Sequence, residues 1–223
     1  MQSRCSERLD TELSIIGHYR LYPSLLPWVG QQYESQKIRL LVVGESHYLD
    51  KKSSYHHDDE VWYSGLDTSG YKDNNWFFTR NIINNGLNSK WKEKSKLIYK
   101  NIEKALLTSG FSDGAQLSPF ETISFMNYFQ RPAQVTGKSL HHTPLDIKTS
   151  AEVFQKVMMA LEPDVVIVCS KLAWRAMRAS DVTNTMGETR FAVTPHPATR
   201  WWHTKMKKHQ GKSGKDLFIE AIS

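Results

Sequence analysis

The chain has 223 residues, a composition ordinary for a globular protein and a formal net charge of +6. That length suits one domain with a proper core, and no tract is repetitive or of low complexity. The longest apolar run, Val165 to Cys169, is too short to span a membrane, and two cysteines are too few for a disulfide framework or a cysteine-only zinc or iron–sulfur site.

The charge is informative by location. Residues 171–223 hold ten basic and four acidic side chains, a difference of +6 and the whole formal excess; the preceding residues balance at 19 of each (29 less 10, 23 less 4). A basic end of this kind suits a polyanionic partner, nucleic acid being the simplest, or else a solvated helix and tail. The polar start, Met1 to Arg8, has no apolar secretory core, so a cytoplasmic protein is expected.

In chain order, Leu9, Leu13 and Ile16 give a short helix over 8–17, and Pro23 and Pro27 break the pattern after it. Residues 1–35 read as a helical extension. The first strand is Ile38 to Val43, an apolar run of the kind buried on both faces of a parallel sheet. Residues 49–75 form a long polar and aromatic loop. Helices are expected from Trp76 towards Leu87 and from Lys92 to Leu107, the second with Leu97, Ile98, Ile102, Ala105 and Leu106 on one face and Gly110 as its stop. A second strand lies near Thr122 to Tyr128. Thr149 or Ser150 caps a helix reaching Leu161, Val165 to Cys169 is the third strand, and Ser170 caps a helix from Lys171 to Arg178. Phe191 to Val193 is a short fourth strand, and a basic helix closes the chain within 203–223. The alternation predicts a single domain over 1–223, a three-layer α/β/α sandwich around a mostly parallel four-stranded sheet.

Three strand ends carry ionisable or polar groups: Gly44-Glu45-Ser46-His47-Tyr48, Asn127 to Pro132, and Thr194-Pro195-His196-Pro197. In a parallel sheet these loops share one edge, where ligands of open α/β sheets bind. An acid, an amide and an imidazole then face one crevice.

At these positions the sequence resembles the uracil-DNA glycosylase superfamily. Gly44 to Tyr48 is similar to the first motif, which reads Gly-Gln-Asp-Pro-Tyr in one branch and Gly-Glu-Ala-Pro-Gly in another. Asn127 with Arg131-Pro132 is similar to the second motif, Glu162 to Val168 to the Pro-x-x-Ile/Val strand, and His196-Pro197-Ala198 to the closing His-Pro-Ser/Ala motif. The resemblance covers roughly residues 35–203 and implies hydrolysis of the N-glycosidic bond of a base flipped out of DNA. It implies catalytic roles for Glu45, Ser46 and His196. Asn127 would read the base edge, Tyr48 would crowd its C5 position, and Phe77 or Phe78 would stack on it. Arg200, Trp201 and Trp202 would form the wedge into the vacated stack, with Lys205, Lys207 and Lys208 on phosphates. The implied partner is DNA, double- or single-stranded, met by a monomer with no cofactor, metal or membrane.

Two positions depart from the pattern. Ser46 stands where the most active branch has an aspartate, and His47 replaces the usual proline. The branch lacking that aspartate carries a four-cysteine cluster, which this chain cannot hold. The alternative is therefore a nucleic-acid or nucleobase binding protein of the same fold that leaves the bond intact. Some residues also have plain structural readings: Phe77 and Phe78 as core, Trp201-Trp202 as packing on the last helix, Asn127 as a strand-end cap. His56-His57-Asp58-Asp59-Glu60 has metal-ligand chemistry, but consecutive loop side chains seldom converge on one ion.

Overall fold

Four aliphatic residues in succession, Leu40 to Val43, have no solvent exposure, and each contributes about 1.5–3 kcal/mol by leaving water. They form strand β2 (Leu40–Gly44), the centre of the sheet in a computed structural model that describes residues 4–112, 117–185 and 187–223. β3 (Ser124–Asn127) and β4 (Val165–Val168) flank it in parallel, pairing Gly44 with Asn127 and Val43 with Val168. β5 (Arg190–Val193) adds in parallel outside β4.

The sheet has five strands, in the order β1-β3-β2-β4-β5, rather than the four expected. The extra strand, β1 (Trp28–Val29), pairs antiparallel with β3 within the segment read as a helical extension. Two residues beside Pro27 carry no strand periodicity. Tertiary bonds place them instead: Trp28 Nε1 donates to Phe120 O at 2.7 Å, and Ser124 Oγ donates to Trp28 O at 2.6 Å.

Apolar cores lie on both faces, so the layering is α/β/α. On one face are α1 (Asp10–Ser14), α2 (Gly17–Leu21), α3 (Asp59–Tyr63), α6 (Pro144–Leu161) and α7 (Lys171–Ala179). On the other are α4 (Thr79–Asn88), α5 (Leu97–Ser109) and α8 (Gly214–Ile222). α5 ends at Gly110, which takes the left-handed conformation at φ 71°. Ser170 caps α7 by accepting from the backbone N–H of Leu172 and Ala173.

Three expectations are corrected. The single helix over 8–17 is two short ones, α1 and α2. α6 starts at Pro144, not after Thr149 or Ser150: Thr143 and Asp146 form a capping box, and Ser150 is a buried residue inside the helix. The loop over 49–75 contains α3, capped by Asp58 and seated by the buried Trp62. Among the described residues no helix is long and apolar enough to cross a membrane.

Candidate functional site

The ladder between β2 and β3 continues past the strands. Tyr128 N donates to Gly44 O at 3.1 Å, Phe129 N to Glu45 O at 2.9 Å, and Ala133 N to His47 O at 2.9 Å. The motif Gly44 to Tyr48 is thus held as an extended edge of the sheet.

Glu45 Oε2 accepts from Ser170 Oγ at 2.6 Å, while Oε1 is buried with no partner among the described residues. Ser46 is 8 % exposed, and its hydroxyl is also buried and unpartnered. His47 lies in the interior with Nε2 3.1 Å from Thr79 Oγ1, and burial lowers its pKa to about 3. It is therefore neutral near pH 7, and it ties the start of α4 to the motif. Tyr48 is half-buried, and burial together with the charge of Glu45 raises its phenol pKa.

Asn127 is 8 % exposed, and its side-chain amide makes no hydrogen bond among the described residues. Its oxygen fills the space beside Gly44: a Cβ on that glycine would stand 2.2 Å from it. Glycine at position 44 leaves room for the amide where it stands, and a Cβ there would turn it aside.

His196 comes from the turn after β5. Its Nδ1 accepts from the Ala198 N–H at 3.2 Å, so this nitrogen carries no proton. The neutral ring then keeps its proton on Nε2, free to donate. Burial lowers the imidazole pKa, and the nearby Glu45 carboxylate opposes that shift. The turn is fixed from α5, where buried Asn101 donates to Pro197 O at 2.7 Å, and by Thr199, whose hydroxyl donates to His196 O at 2.8 Å.

The aromatic candidates separate. Phe77 is fully buried, edge-on to Trp62 and Tyr22, so its ring faces core rather than a ligand. Phe78 is half-buried one residue before the Thr79–His47 tie. Trp202 is 1 % exposed and packs against Phe218 of α8, the structural reading of that residue. Trp201 is 41 % exposed, with the Arg200 guanidinium 4.1 Å above its ring. Lys205, Lys207 and Lys208 are exposed. Lys208 lies against Lys171, and this contact, then burial and the charge of Arg175, lowers the Lys171 pKa.

The histidine-rich cluster serves the fold. His56 Nε2 and His57 Nε2 each lie 3.1 Å from a backbone carbonyl, of Ala133 and Gln134, and Asp58 caps α3. Among the described residues no group of three or more His, Cys, Asp or Glu is placed to hold a metal ion. An open apolar groove of roughly 520 Å³ lies elsewhere, between α6 and residues 179–185, and none of the candidate residues line it.

Sequence reasoning missed Thr79 and Asn101, counted Lys171 only within the basic end, and gave Ser170 only its capping role. Asn101 did leave a signal, as a polar residue three after Ile98 and four before Ala105 on an otherwise apolar helix face. The contact of Ser170 with Glu45 spans 125 residues and left none. Compared with known proteins, the chain matches no family model and no curated sequence.

Proposed function

We propose that the chain is a uracil-DNA glycosylase-like protein that hydrolyses the N-glycosidic bond of a flipped, damaged or modified base in DNA. The observation that carries this reading is the amide of Asn127, nearly buried and without a protein partner at the end of a central strand. An amide offers a donor and an acceptor together, which suits the edge of a nucleobase. His196 Nε2–H supplies a donor for the carbonyl oxygen of the departing base.

In this reading Glu45 Oε1 and Ser46 Oγ, both unpartnered, orient a water beside the sugar. The water oxygen bonds to C1′ as the C1′–N bond breaks, the bonding electron pair leaves with the base, and Glu45 accepts the water's proton. Arg200 and Trp201 provide the exposed wedge, and Lys205, Lys207, Lys208 and Lys171 the phosphate contacts.

A second reading, binding without cleavage, is favoured by one observation: Glu45 already accepts from Ser170 through Oε2, and Ser46 beside it carries no charge. A gel assay for abasic sites, using duplexes with uracil, hypoxanthine or modified bases, decides between the two. Strand breakage after alkali supports excision. No product with any base at high protein concentration, but salt-sensitive binding, leaves the binding protein.

A further inference from the structure

The long segment between β2 and α4 is organised by one carboxylate. Asp73 is 4 % exposed and receives the Asp50 N–H at 2.9 Å, the Ser53 hydroxyl at 2.6 Å and the Tyr55 hydroxyl at 3.3 Å. Its own carbonyl accepts from Trp76 N at 2.9 Å. These bonds gather two distant stretches, 50–55 and 71–76, into one fixed surface.

That surface is aromatic, and it carries three exposed lysines against the half-buried Asp50 and the buried Asp73. Lys51 and Lys52 stand on the turn between Asp50 and Ser53, closed by Ser53 N on Asp50 O at 2.8 Å, and Lys72 adjoins Asp73. All three lysines are exposed, and none pairs with an acid among the described residues. Trp76 is 47 % exposed and Tyr71 40 %, unusual for rings of their size. Tyr71 is backed by Tyr55, with ring centroids 3.8 Å apart, so one face is spent on the protein and the ring is held rigid. The surface is anchored beside the candidate site, since Thr79, three residues beyond Trp76, is hydrogen-bonded to His47.

Two exposed aromatics, Tyr71 held rigid by its stack on Tyr55, among unpaired lysines match the chemistry of unpaired nucleic-acid strands, where bases stack and phosphates need cations. We infer that Lys51, Lys52, Tyr71, Lys72 and Trp76 form a second binding surface, for single-stranded nucleic acid. It rests on the nucleic-acid reading of the crevice but uses none of the residues placed there. The bases stack on Trp76 and Tyr71 while the lysines follow the backbone.

The test is fluorescence anisotropy with labelled oligothymidylate of about twenty nucleotides, which presents no damaged base, titrated at several salt concentrations. The charge reversal K51E/K52E/K72E is expected to weaken binding by at least about tenfold and to reduce the slope of log Kd against log salt by about two, near 0.7 per phosphate lost. Trp76→Ala is expected to weaken binding about tenfold at unchanged slope, as stacking carries no charge. All four positions are exposed, and an unchanged melting temperature verifies the fold. Wild-type affinity in both variants, with binding abolished by K205E/K207E/K208E, overturns the second surface and leaves the nucleic-acid reading standing. No binding of oligothymidylate or duplex by the wild type overturns both.

Discussion

The side-chain oxygen of Asn127 occupies the space in which any residue but glycine at position 44 would put its Cβ, 2.2 Å away. The two residues face each other in the register of β2 and β3, so a Cβ at position 44 turns the side chain of Asn127 aside while the sheet stays in place. Gly44→Ala therefore displaces the amide without touching its chemistry. Excision is expected to fall about a hundredfold, the scale of losing one preorganised donor, and to match the loss in Asn127→Ala. Single-turnover assays of both variants check this; full activity in Gly44→Ala would remove Asn127 from the site.

Ser170 does two jobs that can be separated. It caps α7 and donates to Glu45. Ser170→Ala loses both, at about 1 kcal/mol of stability for the cap. Ser170→Asp keeps a capping oxygen but sets a second carboxylate against Glu45. Its melting temperature is expected near wild type, while turnover falls because the hydroxyl that donates to Glu45 is gone and a like charge stands in its place.

The Arg131–Asp146 pair is fully buried, with Arg131 Nε 2.9 Å from Asp146 Oδ1. Arg131 Nη1 also donates to the carbonyls of His56 and His57 at 3.0 Å each. Removing one partner strands a buried charge. Asp146→Ala is expected to cost about 3–5 kcal/mol in urea unfolding. Replacing both, as Arg131→Met with Asp146→Leu, is expected to cost less than the sum of the single changes.

Acid should weaken the fold through buried histidines. Burial lowers His47 to about 3 and His18 to about 4, against an ordinary value of 6.5. Below the ordinary value the unfolded chain takes up protons that the folded protein refuses. The stability these groups contribute is thus intact above pH 6.5 and lost progressively as pH falls towards 3–4. Each accounts for about 2 kcal/mol by pH 5. Denaturation midpoints between pH 7.5 and about 5 should drop accordingly, and His47→Gln should flatten the slope whatever its own stability. An equally steep slope in that variant would contradict the buried, neutral ring.

What the sequence made legible was what local signals determine. The apolar runs of β2 and β4, the Ser170 cap and the Gly110 stop need only a few neighbouring residues, and all four stand as expected. β1 could not be read because a two-residue strand next to a proline has no period; partners nearly a hundred residues away hold it. The start of α6 was available in Thr143-Pro144 and Asp146, but Thr149 and Ser150 offer the same kind of capping oxygen further on. At the candidate site, residue types at strand ends singled out Glu45, Asn127 and His196, and the structure places all three after β2, at the end of β3 and after β5. Which of two adjacent aromatics faces the core could not be read from sequence: Trp201 and Trp202 are neighbours with opposite fates.

The hydrogen bonds that carry the β2–β3 ladder beyond Gly44, through Glu45 and His47, have an entropic consequence. A loop that must freeze around its ligand gives up conformational freedom at about 1–2 kcal/mol per residue. Here the backbone gave up that freedom when the protein folded. A ligand of the proposed site would meet a rigid frame in which little more than side-chain rotamers remains to be chosen. Affinity then depends on fit rather than closure, and the amides of Tyr128, Phe129 and Ala133 should exchange with solvent as slowly in the empty protein as in the occupied one.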